Sequence, residues 1–257
     1  MSVPTAILLT NDDGIEAPGL RALESALLER PGVELWVAAP DRERSTCGHG
    51  MTLDRPLRAI EAGERRMALD GTPADCVYWA LFGWMPRRPQ VVVSGINKGA
   101  NLGSDVIYSG TVAGAREGAI RGVHGVAVSL VEGESFEEAA ASAAGIASAV
   151  AELPVESPLL LNLNYPAGAF DEPRLAELGS RAYPEEVRRV RAADGSERHW
   201  LGGPPVRDRR LPGTDGWLVA RGVAAVTALG IEPNGARDAP SIAERLGIDD
   251  DRVEQSG

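Results

Sequence analysis

The stretch Thr5-Ala6-Ile7-Leu8-Leu9-Thr10-Asn11-Asp12-Asp13-Gly14 decides the fold. Its first half is apolar without alternation, the pattern of a parallel strand covered on both faces. The run breaks at an Asn-Asp-Asp-Gly cluster. Pro18 follows, then Leu20, Leu23, Leu27 and Leu28 at helical spacing, and a proline suits a first helical turn. The unit is strand, loop, helix. Further out, residues 33–39, 91–94, 126–130 and 159–163 read as strands, with helices over 73–82, 111–121 and 137–153 between them. Such alternation makes βαβ units. The expected fold is a three-layer α/β structure, Rossmann-like, with a mostly parallel sheet and helices on both faces.

After about Tyr165 the rhythm changes. Residues 181–210 carry eight Arg against five acidic residues, a local charge of about +3 in an acidic chain. Residues 187–191 and 198–201 flank Asp194-Gly195, a turn dipeptide, and read as a β-hairpin that Gly202-Gly203-Pro204-Pro205 ends. Residues 217–220 and 223–228, separated by Arg221-Gly222, read as a further strand pair. A short helix is expected at 241–246 and a frayed tail beyond Asp249. One domain over 1–257 is expected: a core to about 180, the hairpin excursion over about 181–213, and C-terminal strands and tail from 214.

A chain of 257 residues with 44% apolar residues can bury a sizeable core, which excludes global disorder. Its 26 basic and 37 acidic residues give −11, against a surface built to hold nucleic acid. No basic leader precedes an apolar run, and no stretch of about 18 apolar residues occurs. A cytoplasmic protein without membrane contact is expected. Cys47 and Cys76 make no zinc signature and are expected as free thiols.

Asn11-Asp12-Asp13-Gly14 on its own reads as a turn. It also caps the first strand of a parallel sheet, and ligands bind outside the carboxyl ends of such strands. Two adjacent carboxylates repel unless a cation lies between them, and oxygen ligands suit Mg²⁺ or Mn²⁺ rather than zinc. Ser45, in the loop after the second strand, is a candidate hydroxyl for the same ion or an ordinary loop residue. Ser94-Gly95-Ile96-Asn97-Lys98-Gly99-Ala100-Asn101-Leu102-Gly103 follows the third strand. Asn97 offers a carbonyl oxygen, and Lys98, the sole Lys, offers a charge to a phosphate. Ser109-Gly110-Thr111 opens a helix whose N–H groups suit an anion, or is a plain cap. Thr72-Pro73-Ala74-Asp75 reads as a structural capping box. Of the three histidines, His49 lies nearest these loops. No P-loop, Gly-x-Gly-x-x-Gly, Asp-x-Asp or Gly-x-Ser-x-Gly pattern is found at the places such chemistry needs.

Five blocks, residues 10–14, 39–45, 71–76, 94–103 and 109–115, resemble in order and spacing the SurE family of stationary-phase survival nucleotidases. The resemblance implies a metal-dependent phosphatase, a 5′-nucleotidase acting on nucleoside 5′- and 3′-monophosphates and on short polyphosphate. It implies one divalent ion per subunit, Mg²⁺ or Mn²⁺, on Asp12, Asp13, Ser45 and Asn97, with Asp12 and Asp13 also catalytic. Asn11, Lys98, Asn101, Ser109, Gly110, Thr111 and His49 are the substrate and phosphate candidates. A homodimer or homotetramer exchanging a hairpin or C-terminal arm is also implied. The chain departs from the family at Gly50, where a Ser commonly follows His, and at Val226-Thr227-Ala228-Leu229-Gly230, where many members carry a His. The rival readings are a nucleoside hydrolase, which would release free base, and a nucleotide sensor without turnover.

Overall fold

The computed structural model describes residues 4–183, 186–202, 207–209 and 211–231. Strand β1, Thr5–Thr10, lies near the middle of a nine-stranded sheet. On one side of it stand β2 (Val33–Pro40), β4 (Arg66–Leu69) and edge strand β3 (Ala59–Gly63). On the other stand β5 (Val91–Lys98), β6 (His124–Leu130), β7 (Leu160–Tyr165), β13 (Val223–Ala228) and β8 (Asp171–Leu175). Only the β3–β4 and β7–β13 pairings are antiparallel. This is the expected mostly parallel α/β sheet.

The unbroken apolar character of β1 has a direct cause. Ile7 and Leu9 pack into the layer of α1 (Pro18–Leu28) and α4 (Glu137–Ala151), while Leu8 faces α2 (Pro73–Trp79) on the other side. In α1, Leu20, Leu23 and Leu27 are buried, and Pro18 opens the first turn. Helix α3 (Gly110–Ile120) packs beside α2 on the second face. The Thr72 capping box at the start of α2 is present, with Asp75 closing it. Helix α2 ends early and continues as a π-helical turn, Ala80–Trp84.

The chain leaves β1 through α1 toward β2, and leaves β5 through α3 toward β6. Neighbouring strands β1 and β5 therefore send their carboxyl-end loops to opposite sides. That divergence opens a crevice, the usual ligand position in such sheets.

The expected hairpin forms from β10 (Val187–Arg191) and β11 (Glu197–Leu201), paired antiparallel and exposed along their whole length. Two further short strands, β9 (Ser180–Ala182) and β12 (Arg207–Arg209), pair at its base. One expectation is corrected: residues 217–220 are not a strand. They fall in and just after α5 (Asp215–Val219), whose first turn is held by the Asp215 carboxylate accepting the Gly216 N–H at 2.8 Å. The expected helix at 241–246, the tail beyond Asp249 and the Pro204-Pro205 stop lie outside the described residues.

Candidate active site

Asp12 emerges from β1 into the crevice and is only 5% exposed. Its Oδ1 accepts the Thr111 hydroxyl at 2.6 Å, and its backbone carbonyl accepts the Arg44 N–H at 2.7 Å. Burial is the main force raising its carboxyl from 3.8 to about 6, with Asp13 adding repulsion and the Thr111 bond opposing. Asp13 is less buried and accepts the Lys98 N–H at 3.1 Å. Its carboxyl is also raised, first by burial and then by the nearby Glu43 charge, against the Lys98 bond. Among the described residues no Lys or Arg side chain pairs with either carboxylate.

The loop after β2 brings Ser45 to the same cleft, its hydroxyl donating to Glu43 at 2.6 Å. Strand β5 runs past the expected 91–94 to Lys98 through a bulge at Gly95. A Cβ at Gly95, where φ is +143°, would lie 2.3 Å from the Val128 carbonyl oxygen. Only glycine permits this approach. Past the bulge, the Asn97 amide nitrogen donates to the Gly99 carbonyl at 2.8 Å, which leaves its Oδ1 as the end suited to a cation. The Lys98 ammonium pairs with Glu134 at 2.9 Å, out in solvent.

Ser109 is the N-cap of α3, accepting the Val112 N–H at 3.0 Å. Thr111 turns both its hydroxyl and its backbone N–H toward the Asp12 carboxylate, and the Gly110 N–H, ahead of the first intrahelical bonds, is the donor suited to an anion. Gly110 is required by crowding: a Cβ there would sit 2.9 Å from the Asp12 side chain and from the Cys47 sulfur. Asn101 hangs on a buried amide cluster. Its carbonyl accepts from Asn162 (2.8 Å) and Asn164 (3.1 Å), its N–H donates to Asn164 (3.0 Å), and its Nδ2 donates to Ser129 (2.8 Å).

Asp12, Ser45, Asn97, Lys98, Asn101 and Ser109 thus line one cleft of about 260 Å³, with Asp13 held beside it on Lys98. The remaining sequence candidates lie elsewhere. Asn11 is fully buried and bonds Gly14 through both ends of its amide, so it shapes the β1 loop. Thr111 faces Asp12 from behind. His49 contacts the buried Glu117 of α3 at 2.8 Å, and Glu117 also holds Arg121. Asn162, Asn164 and Ser129 went unread in the sequence, although two asparagines alternating within Leu-Leu-Asn-Leu-Asn-Tyr of β7 are an anomaly in a buried strand.

The donors fit a hard divalent cation. Burial and neighbouring carboxylates, Asp13 beside Asp12 and Glu43 beside Asp13, keep both groups from ionising easily; among the described residues the only charge favouring the Asp13 anion is the distant one of Lys98, and neutral oxygens complete the set.

A family model described as "Survival protein SurE" matches residues 7–185. The chain is similar to a protein named 5′-nucleotidase SurE from Anaeromyxobacter sp. (strain K), 46% identical over 231 residues, covering 88% of this chain and 90% of the relative. A protein of the same name from Sorangium cellulosum is 44% identical, with the same coverage. Among solved structures, the crystal structure of a SurE protein from Aquifex aeolicus overlays with a TM-score of 0.80 at 34% identity, covering 94% of this chain and 99% of that one.

Proposed function

The chain belongs to the SurE family, and from that premise together with the cleft we propose that it is a metal-dependent phosphomonoesterase acting on nucleoside 5′-monophosphates. Nucleoside 3′-monophosphates and short polyphosphate are included in the reading. The observation that carries it is the Thr111–Asp12 bond of 2.6 Å, which ties a helix N-terminus suited to a phosphate directly to a half-buried to buried acidic pair suited to a cation.

Asp12, Asp13, Ser45 and Asn97 would hold one Mg²⁺ or Mn²⁺. When bound, the ion would neutralise phosphoryl charge and acidify a water molecule. The Ser109 hydroxyl and the Gly110 N–H orient the non-bridging oxygens, while Thr111 holds the Asp12 carboxylate in place. Asn101, fixed by Asn162 and Asn164, closes the other side. One carboxylate of the pair takes the proton of the attacking water. Phosphoryl transfer needs mostly positioning and charge stabilisation, which is what these groups supply.

Two free cysteines support a reducing, cytoplasmic setting. Among the described residues no helix is long and apolar enough to cross a membrane. The hairpin supports assembly as a homodimer or homotetramer, with this arm or the C-terminal arm exchanged: Trp200 is 62% exposed, Val187 and Leu201 are bare as well, and a lone two-stranded hairpin is marginal in water.

Phosphate release should be followed with nucleoside 5′- and 3′-monophosphates and tripolyphosphate, in Mg²⁺, Mn²⁺ or EDTA. Metal-dependent release that EDTA abolishes is expected. Free base instead of phosphate would establish the nucleoside hydrolase reading, and binding without turnover the sensor reading.

A further inference from the structure

The cleft is lined by oxygens and amides except at its mouth, where two rings stand. Tyr108, which follows the 3₁₀ turn Gly103–Ile107, is 64% exposed, and Tyr183, which follows β9, is 49% exposed. The two segments that carry them are bonded to each other. The Asp215 carboxylate, itself buried, accepts the N–H of Gly103 at 2.8 Å and of Gly179 at 2.9 Å, so one group carries both walls. Arg181 pairs with Asp105, and the Ser104 hydroxyl donates to the Arg181 carbonyl at 3.1 Å. Burial and the adjacent Asp105 carboxylate push the Tyr183 phenol up to about 12, so the ring is neutral.

Resting on the phosphatase reading above, we propose that Tyr108 and Tyr183 form the nucleobase subsite. They bind the base by its faces rather than by its hydrogen-bonding edge. A phosphate on the N-terminus of α3 shares the cleft with both rings, so a planar group carried on the same ester reaches them. Rigid aromatic surface left bare beside a charged site suits a ligand that is anionic at one end and flat and apolar at the other. Stacking tolerates any base because every base has a π face. The subsite therefore selects nucleotides over other phosphate esters without selecting strongly among bases.

The test compares kinetics in Mn²⁺ on a purine nucleoside 5′-monophosphate and on ribose 5-phosphate, which carries the same ester without a base. Tyr108→Ala and Tyr183→Ala should each raise KM for the nucleotide by roughly 5- to 140-fold, the equivalent of the ~1–3 kcal/mol of one stacked base at 1.4 kcal/mol per decade. Their kcat should stay within about twofold, and KM for ribose 5-phosphate should not move. Tyr108→Phe and Tyr183→Phe should restore the nucleotide KM. Equal losses on both substrates would show that the rings hold up the site, and unchanged nucleotide KM with a smaller mass in light scattering would show that they meet a second copy of the chain. Either result overturns the subsite while leaving the phosphatase reading standing. A wild-type protein that releases phosphate from neither substrate overturns both.

Discussion

The acidic pair at the end of β1 and the basic hairpin of β10 and β11 are charge clusters that the fold treats in opposite ways. Asp12 is buried against Thr111 and Gly110 with a second carboxylate beside it, and its carboxyl is pushed up to about 6. The hairpin exposes every residue of both strands, so the Arg189–Glu197 contact at 4.0 Å lies in water. Exposed pairs of that kind add little stability, whereas a buried, unbalanced charge is costly until something neutralises it. Charge density alone does not mark a site. Charge that the fold has removed from water without a partner does.

The sharpest way to break this contrast is at the buried end. Asp12→Asn and Asp13→Asn should each lower turnover by two to three orders of magnitude, because ligands of the cation are lost. Near-normal rates without added metal in either variant would show the pair to be structural. An intermediate effect is expected at Ser109→Ala. The lost charge-assisted hydrogen bond should reduce kcat/KM by roughly 1.5–3 kcal/mol, and loss of the N-cap should lower stability by about 1 kcal/mol. Metal-induced stabilisation should be unchanged. If it falls in parallel, Ser109 serves the cation. The smallest effect on catalysis belongs to the hairpin. Replacing residues 187–201 with a short Gly linker should shift the mass in light scattering toward monomer, with turnover on ribose 5-phosphate within about twofold of wild type. An unchanged mass would leave the hairpin a surface feature.

Most of the central sheet was legible because strands covered on both faces have to be apolar: Ala6 to Leu9 and Val91 to Val93 carry that demand in their composition, whereas the polar half of β5 from Ser94 to Lys98 hid its true length. The edge pair β3 and β4 was not read, since half-exposed Ala59–Gly63 lacks both a run and an alternation. Residues 217–220 misled because Trp-Leu-Val is equally apolar in either element, and five residues are too few to show a helical period. At the site, the strand-end loops announced Asp12, Asp13, Ser45 and Asn97. The roles of Asn11, His49 and Asn164 depend on partners that only the folded chain supplies: Gly14 across a turn, Glu117 far along the chain, and the Asn101 backbone in the loop after β5.

Asp12 is a buried anion awaiting a cation, and thermal unfolding of wild type and Asp12→Asn at pH 8, in EDTA and in Mn²⁺, puts that state to the test. Because the folded carboxyl is raised to about 6, its favourable contribution is fully present below 3.8 and is lost as pH rises through about 6. At pH 8 the metal-free wild type therefore bears a penalty of up to roughly 3 kcal/mol. Asn removes that penalty and keeps an oxygen for Thr111. In EDTA the variant should melt several degrees above wild type, and the gap should close as pH falls toward 4. Mn²⁺ should raise the wild-type midpoint and leave the variant's unmoved. A variant that melts lower in EDTA and is stabilised by Mn²⁺ as much as wild type would show that Asp12 neither bears this penalty nor binds the ion.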